Sequence, residues 1–298
     1  MTLSTVITEE APAKLNLYLH VLGRRADGYH ELDSLVAFAD IADTVSVRPA
    51  QGLSLTIGGP FAPTLAAEPA SENLVTRAAR LLAESVGRPD PGVAITLTKR
   101  LPVASGIGGG SADAAATLRA LARLWEIGPD HTSLHPLLHA VAARLGADVP
   151  VCLTGRPAYF GGVGDIIDPA PPLPPCAVVL VNPGIPLSTP SVFRVRTGPF
   201  STAARFDNDA PLPDAAAFAE LLAARRNDLT APAQALVPEI GAVLDALSTT
   251  DGCLLARLSG SGATCFALYA DPAQAHAAAA ELALAHAGWW IVPGRLSA

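Results

Sequence analysis

The chain has 298 residues, of which 50% are hydrophobic and 16% are charged, and its formal net charge is −7. This composition is typical of a globular protein with a large core and argues against a wholly disordered chain. The length is sufficient for two domains. The acidic balance disfavours a duplex-binding protein, which normally carries a basic surface.

The cysteines and the N-terminal segment bear on the compartment. The cysteines lack the short spacing of a zinc site or a disulfide framework and are scattered at Cys152, Cys176, Cys253 and Cys265. We therefore expect reduced, mostly buried thiols. Residues 1–11 contain no basic-then-apolar run, so no signal peptide is predicted. No uncharged apolar stretch is long enough to cross a bilayer, and a cytoplasmic protein is expected.

Alternating residues near the N-terminus predict the first strand. Leucine and valine recur at every second position of residues 15–21, which gives the strand one apolar face and places Lys14 and Asn16 on the other side. Two short strands are predicted over residues 44–48 and 53–57. Ser71 is then predicted to cap a helix that ends at Gly87, and residues 93–98 alternate as a further strand.

A glycine-rich loop leads from this strand into an alanine- and leucine-rich helix. Glycine allows the backbone to approach a ligand closely, and the first turn of a helix presents unpaired N–H groups and the positive end of the helix dipole. The order of strand, loop and helix therefore favours a phosphate site, although a tight connection without a ligand is the alternative. The loop comprises Pro102, Val103, Ala104, Ser105, Gly106, Ile107, Gly108, Gly109, Gly110, Ser111 and Ala112.

The loop matches neither of two common nucleotide motifs. A P-loop is excluded because no Lys-Ser or Lys-Thr pair follows the glycines. Ser111 or Asp113 stands where a Rossmann fingerprint would have its third glycine. The loop alone therefore does not identify which phosphate compound would bind.

The remaining elements mix helices and strands, which predicts an α/β or α+β protein. A second glycine loop, Ser259-Gly260-Ser261-Gly262, interrupts a strand-like segment. Five prolines in residues 169–175 mark the predicted crossover between domains, within residues 153–175. Helices are predicted over residues 114–125, 134–145, 211–224, 233–247 and 272–287, and strands over residues 176–181, 254–258, 264–269 and 289–292.

Lys14 and Asp148 are candidates for chemistry, each with an ordinary alternative. A lysine on an apolar strand is usually a surface residue with its ammonium in water, and Asp148 lies just beyond a predicted helix end, where a turn residue is common. Phosphoryl transfer requires a phosphate cradle, a positive charge near the transferred group and a carboxylate that accepts the proton of the acceptor hydroxyl. The chain offers one candidate for each.

Other charged or polar groups are expected to be solvated surface. His131, His135 and His139 recur every four residues, which permits a metal site on one helix face, but no carboxylate shares that face. Basic pairs occur at residues 24–25, 99–100 and 225–226 and are also expected at the surface.

Three segments resemble the motifs of the GHMP small-molecule kinases, in the order of that family and across nearly the whole chain. They are Pro12-Ala13-Lys14-Leu15-Asn16-Leu17, the glycine-rich loop, and Leu258-Ser259-Gly260-Ser261-Gly262-Ala263. Residues 25–32, 146–150 and 227–229 further resemble the member that phosphorylates the 2-hydroxyl of a cytidine-diphosphate sugar alcohol in the non-mevalonate isoprenoid pathway. The segment Asp27-Gly28-Tyr29-His30 is the discriminating one.

The resemblance implies an α+β fold of two domains. A ribosomal-protein-S5-like, ATP-binding domain is expected over residues 1–155 and a ferredoxin-like domain over residues 156–298. The implied activity is ATP-dependent phosphorylation, with Mg²⁺ entering as the ATP complex and no dedicated protein metal site. The expected partner is a small-molecule substrate rather than nucleic acid or a membrane, and the expected state is a monomer or a homodimer.

The resemblance also assigns roles to residues. Asp148 would accept the proton of the acceptor hydroxyl, and Lys14 would stabilise the developing charge. The glycine-rich loop and Asn73 would bind ATP, with the Ser111 hydroxyl near phosphate or Mg²⁺. In the substrate pocket two aromatic rings would stack on cytosine while a histidine reads its polar edge. The implied substrate-binding residues are Asn16, Tyr29, His30, Asp148, Thr189 and Phe193.

The chain departs from the family pattern at small residues. Ala104 and Ser105 stand where the family often has glycine, and Ala112 stands where it often has a second hydroxyl. We expect the backbone cradle to be retained. Two alternatives stay open: a kinase of the same family that acts on a mevalonate- or homoserine-type alcohol, and a nucleotide-binding module without catalytic activity.

Overall fold

The structure is a computed structural model that describes residues 5–66, 69–128, 135–207 and 212–297. The chain forms two compact units. Unit 1 comprises Met1–Ala13, Ala42–Val103 and Gly108–Gly155, and unit 2 comprises Lys14–Ile41, Ala104–Ile107 and Arg156–Ala298. The units are thus interleaved in sequence, and a division into continuous domains at residues 155 and 156 stays a prediction.

Two long strands begin the chain and pair with each other: β1 (Ile7–Arg24) and β2 (His30–Pro49). The strand predicted over residues 15–21 is confirmed as part of β1. The short strand predicted over residues 44–48 is instead the end of β2. The expectation that β1 has only one buried face is wrong, because its polar side chains are buried and hydrogen-bonded.

Unit 1 combines strands with α-helices. Strand β3 (Leu53–Gly58) runs parallel to β4 (Val93–Thr98), which pairs antiparallel with the end of β2. The alternating residues of β4 place Val93, Ile95 and Leu97 in the core. The helices are α1 (Ala62–Leu65), α2 (Leu74–Ser85), α3 (Gly109–Leu124), α4 (Pro136–Leu145) and α5 (Val149–Thr154).

The start of α2 differs from the prediction. Asn73, not Ser71, is the N-cap residue, and its Oδ1 accepts a hydrogen bond of 3.0 Å from the N–H of Val75. Asparagine and serine are equally good caps, so the residue type alone does not decide between the two positions. Helix α4 begins at Pro136, with His135 as its N-cap. His131 and Leu134 lie outside the described residues.

Unit 2 contains the remaining elements: β5 (Ala158–Gly162), β6 (Ile166–Pro169), β7 (Ala177–Asn182), α6 (Thr189–Val195), α7 (Ala215–Ala223), α8 (Thr230–Leu236), α9 (Glu239–Ser248), β8 (Leu255–Leu258), β9 (Cys265–Tyr269), α10 (Pro272–Ala285) and β10 (Trp290–Arg295). β5 pairs antiparallel with β6 and with residues 32–36 of β2. The last four strands form an antiparallel sheet in the order β10-β7-β9-β8. Helices between β7 and β8 and between β9 and β10 complete a ferredoxin-like β-α-β-β-α-β arrangement.

Two helix predictions in unit 2 need correction. The helix predicted over residues 233–247 is two helices, α8 and α9, because Pro238 lacks an N–H group and breaks the helical hydrogen bonding. The helix predicted from Pro211 begins at Ala215, capped by the carboxylate of Asp214; Pro211 itself lies outside the described residues. The start of α10 is confirmed, since Asp271 caps it and Pro272 is its first residue.

No disulfide links the four cysteines, and three of them are buried. Within the described ranges, no helix combines the length and apolarity that a membrane span requires.

Candidate active site

The glycine-rich loop ends in a helix start without a side-chain cap. Gly106 and Gly108 have φ angles of 78° and 65°, and Ala104 has 51°. Gly108 is the N-cap of α3 in the left-handed conformation, and as a glycine it gives the helix no side-chain capping hydrogen bond. Because the first N–H groups of a helix have no intrahelical acceptor, the N–H groups of residues 109–111 and the helix dipole can bind an anion.

Three carbonyl groups of the loop are held by other parts of unit 2. The carbonyl of Ser105 accepts from the N–H of Thr264 at 3.0 Å, and that of Ile107 accepts from the N–H of Lys14 at 2.9 Å. The carbonyl of Gly106 accepts from the hydroxyl of Ser259 at 3.0 Å. The loop carbonyls of residues 105–107 are thus satisfied within unit 2.

A polar network on β1 surrounds Lys14. The Lys14 side chain is only 4% exposed, so the alternative of a surface lysine is wrong. Its ammonium donates to Oδ1 of Asn16 at 3.1 Å and lies 5.6 Å from the ring centroid of Phe160. Nδ2 of Asn16 donates to the hydroxyl of Ser34 at 2.8 Å, and the N–H of Asn16 donates to the hydroxyl of Ser259 at 3.2 Å. The two residues predicted on one side of the strand are therefore brought together.

The second glycine loop packs directly on the first. A Cβ atom on Gly260 would lie 2.8 Å from the carbonyl oxygen of Gly106, and one on Gly106 would lie 2.4 Å from that of Ser259. Only glycine permits this approach. The hydroxyl of Ser261 is 2.7 Å from that of Thr189, which fixes the start of α6 against this loop.

Two of the residues predicted to bind cytosine are already in ring contact. The rings of His30 and Phe193 stack with centroids 4.8 Å apart and an interplanar angle of 24°. Tyr29 is 67% exposed. Burial lowers the pKa of His30, and the nearby cations Arg24 and Arg196 lower it further. Neutral His30 can therefore both donate and accept a hydrogen bond.

Asn73 and Asp148 lie in unit 1. Asn73 is buried at the start of α2, and Asp148 is the partly buried N-cap residue of α5. Whether Asp148 meets Lys14, which belongs to unit 2, stays a prediction. Helix α5 was not predicted, because its six residues are too few to show a helical period.

A buried ion cluster beneath the start of α3 was missed. The expectation that Lys99 is a surface residue is wrong: it is 2% exposed, and its ammonium binds Oδ2 of Asp43 and, at 2.7 Å, Oδ2 of Asp113. A Cβ atom on Gly109 would lie 3.1 Å from the ammonium. One signal could have revealed the cluster, since Lys99 continues the buried alternation of β4.

The charge state of this cluster depends on burial and on the interactions among its three charged groups. Burial raises the pKa of Asp113 to about 7, with Lys99 opposing the rise and Asp43 adding to it. The pKa of Lys99 is raised by both carboxylates, against the effect of burial. Among the described residues, buried Oδ1 of Asp113 has no hydrogen-bond partner.

Two protein-family models match the chain. The family model described as GHMP kinases N terminal domain matches residues 73–156, and the one described as GHMP kinases C terminal matches residues 209–287. The chain belongs to the GHMP kinase family. The GHMP kinase fold and kinase activity predicted from its motifs are thereby confirmed, and ATP use follows from membership.

Individual relatives agree with this membership. A Paramagnetospirillum magneticum protein named 4-diphosphocytidyl-2-C-methyl-D-erythritol kinase is 58% identical over 98% of this chain and 99% of its own. A Rhodospirillum rubrum protein of the same name is 52% identical over 97% of this chain and 92% of its own. A crystal structure of 4-(cytidine 5'-diphospho)-2C-methyl-D-erythritol kinase is similar at a TM-score of 0.79, with 38% identity over 98% of this chain and 100% of that one.

A metal site on the histidine stripe is not supported. His135 caps α4 instead of lying on its face, and its Nδ1 accepts from the N–H of Leu137 at 3.2 Å. Among the described residues, no group of three or more histidine, cysteine, aspartate or glutamate side chains could hold a metal ion.

Proposed function

We propose that this GHMP kinase transfers the γ-phosphoryl group of ATP to the 2-hydroxyl of 4-diphosphocytidyl-2-C-methyl-D-erythritol, producing the 2-phosphate and ADP in the non-mevalonate isoprenoid pathway. The observation that carries the choice of substrate is the 58% identity, over 98% of the chain, to a relative of that name. The buried Lys14–Asn16 pair, tied to the glycine-rich loop, supports the chemistry.

The nucleotide would bind at the start of α3. The N–H groups of Gly109, Gly110 and Ser111 and the helix dipole would bind its phosphates, and Asn73 would lie near adenine. Mg²⁺ bound to ATP would neutralise part of the phosphate charge. The Ser111 hydroxyl, in the first turn of α3, is an oxygen ligand of the kind that Mg²⁺ accepts.

Asp148 and Lys14 would act on the acceptor hydroxyl. Asp148 would accept its proton as the hydroxyl oxygen attacks the γ-phosphorus. The ammonium of Lys14 would stabilise both the carboxylate and the developing alkoxide. Its hydrogen bond to Asn16 holds the ammonium in one position, so less ordering is needed in the transition state.

The cytidine end would be recognised by the aromatic residues of unit 2. The stacked rings of His30 and Phe193 offer a flat surface for a pyrimidine, and the exposed Tyr29 could cover the other face of the base. Thr189 would line the same pocket. Asn16 would contact the methylerythritol hydroxyls.

An ATP-consumption assay with a panel of alcohols tests this function. The panel contains 4-diphosphocytidyl-2-C-methyl-D-erythritol, mevalonate and homoserine. We expect turnover of the cytidylyl substrate alone and a loss of several orders of magnitude in kcat for Asp148→Asn with ligand binding retained. Preferential turnover of mevalonate or homoserine would overturn the substrate assignment, and full activity of Asp148→Asn would overturn the role of Asp148.

A further inference from the structure

A cavity in unit 2 carries an excess of positive charge that the proposed mechanism does not use. Its volume is about 470 Å³, within the range of small-molecule sites. It includes none of the residues assigned to catalysis or substrate binding. The charged residues that line it are Arg196, Arg226, Asp228 and Arg257.

Arg257 is a buried cation without a carboxylate partner. It is 8% exposed, and its guanidinium donates to the carbonyl oxygens of Leu17, Leu222 and Arg225 at 2.8, 2.9 and 2.7 Å. No ion pair involves it in the part of the chain that the structure describes. Burial and the nearby Arg225 lower its pKa to about 10, so the group stays charged near neutral pH while its charge is uncompensated.

The other two guanidinium groups add to this excess. Nε of Arg196 is buried without a hydrogen-bond partner, while its terminal nitrogens bond the carbonyls of Gly198 and Pro199. Arg226 is paired with Asp228 at 2.6 Å. Three cations therefore line the cavity with one carboxylate, and that carboxylate also binds the hydroxyl of Ser201.

We propose that this cavity binds a phosphate-bearing anion. Guanidinium groups recognise phosphate through paired N–H donors, and the two uncompensated charges, on Arg196 and Arg257, match a dianion. The apolar part of the lining, at Leu244, Ala256 and Leu258, leaves room for an organic group next to the phosphate.

The cavity wall is bonded to the backbone that carries the catalytic network. The N–H of Leu19 on β1 donates to the carbonyl of Arg226 at 3.0 Å, and Leu19 in turn accepts from Asp228 at 2.8 Å. Nδ2 of Asn227 donates to the carbonyls of Leu258 and Gly260 at 2.9 and 2.7 Å. A bound anion would therefore stabilise the segment of β1 and the second glycine loop that hold Asn16.

Calorimetric titration with inorganic diphosphate tests the proposal. The nucleotide site is first saturated with a non-hydrolysable ATP analogue, so that the phosphate cradle cannot account for the signal. We expect one diphosphate site in the wild type, weakened at least about tenfold in Arg196→Gln and in Arg226→Gln. Arg48→Gln, which removes an exposed positive charge in unit 1, is the control and should bind as the wild type does.

Three results would overturn the proposal: no diphosphate binding beside the analogue, binding that neither cavity variant weakens, or an equal loss in Arg48→Gln. Far-UV circular dichroism of each variant verifies that it is folded. The titration is repeated without the analogue. If the chain does not bind the ATP analogue, the proposed kinase function is contradicted. The cavity proposal is tested separately, by the effect of Arg196→Gln on the affinity for diphosphate.

Discussion

Replacing Lys99 with methionine should lower the free energy of unfolding by about 3–5 kcal/mol at pH 8.5. This is the usual cost of removing one partner of a buried ion pair, which leaves the other charge buried and unpaired. Lys99 is 2% exposed and is hydrogen-bonded to both Asp43 and Asp113. Methionine has a similar length, so the loss of packing is small. The main cost is that two neighbouring carboxyl groups are left buried without a cation.

The loss should depend on pH in a defined direction. Burial raises the pKa of folded Asp113 from 3.8 to about 7. Because the pKa of Asp113 is higher in the folded than in the unfolded chain, its protonation stabilises the folded chain. This contribution to the free energy of unfolding is complete below the unfolded pKa of 3.8 and is lost as the pH rises from there to about 7. Its upper bound is about 4 kcal/mol. Without Lys99 the pKa of Asp113 rises further, so Lys99→Met should cost less at pH 5.5 than at pH 8.5.

Urea denaturation followed by circular dichroism measures both effects. Asp113→Asn is the matched control, because it keeps the shape of the side chain and removes the titrating group. We expect its unfolding free energy to vary less between pH 4 and pH 7 than that of the wild type. A Lys99→Met variant that lost under about 1 kcal/mol at pH 8.5, or lost equally at both pH values, would refute this account of the cluster.

Three further predictions concern the candidate site. Gly106→Ala should weaken ATP binding and lower the Tm in a thermal scan more than the control Gly52→Ala does. Both glycines have positive φ, but only a Cβ atom on Gly106 would lie 2.4 Å from a carbonyl oxygen. Equal shifts in Tm would contradict this clash. Phe193→Leu should raise the KM for the cytidylyl substrate about five- to tenfold and leave the KM for ATP unchanged, since stacking is worth about 1 to 1.5 kcal/mol. An unchanged substrate KM in steady-state kinetics would argue against the stack. Lys14→Met should lower kcat at least about a hundredfold with ATP affinity retained in calorimetry; a normal kcat would remove Lys14 from the mechanism.

Local sequence patterns predicted the elements whose signals are confined to a few residues. The alternation of β4 and the Asp271-Pro272 start of α10 are of this kind. The same patterns failed where tertiary packing decides. Most of β2 was missed because Leu35 to Ala39 form an unbroken apolar run, buried on both faces, in which alternation is absent.

The sequence predicted three separate motifs of the site, but it could not predict the contacts between them. Asn16 and Ser259 are separated by 243 positions, yet they share a hydrogen bond. No local period carries that information. Lys99 shows the opposite case, because its spacing continues the buried face of β4, although lysine usually lies at the surface.

One hydroxyl group explains why the three motifs belong together. The Oγ atom of Ser259 accepts the N–H of Asn16 and donates to the carbonyl of Gly106, so it joins the first strand, the glycine-rich loop and the second glycine loop. Each contact requires a small or polar residue at a fixed place, because the backbone segments approach one another closely there. The buried ammonium of Lys14 is held next to this junction by Asn16.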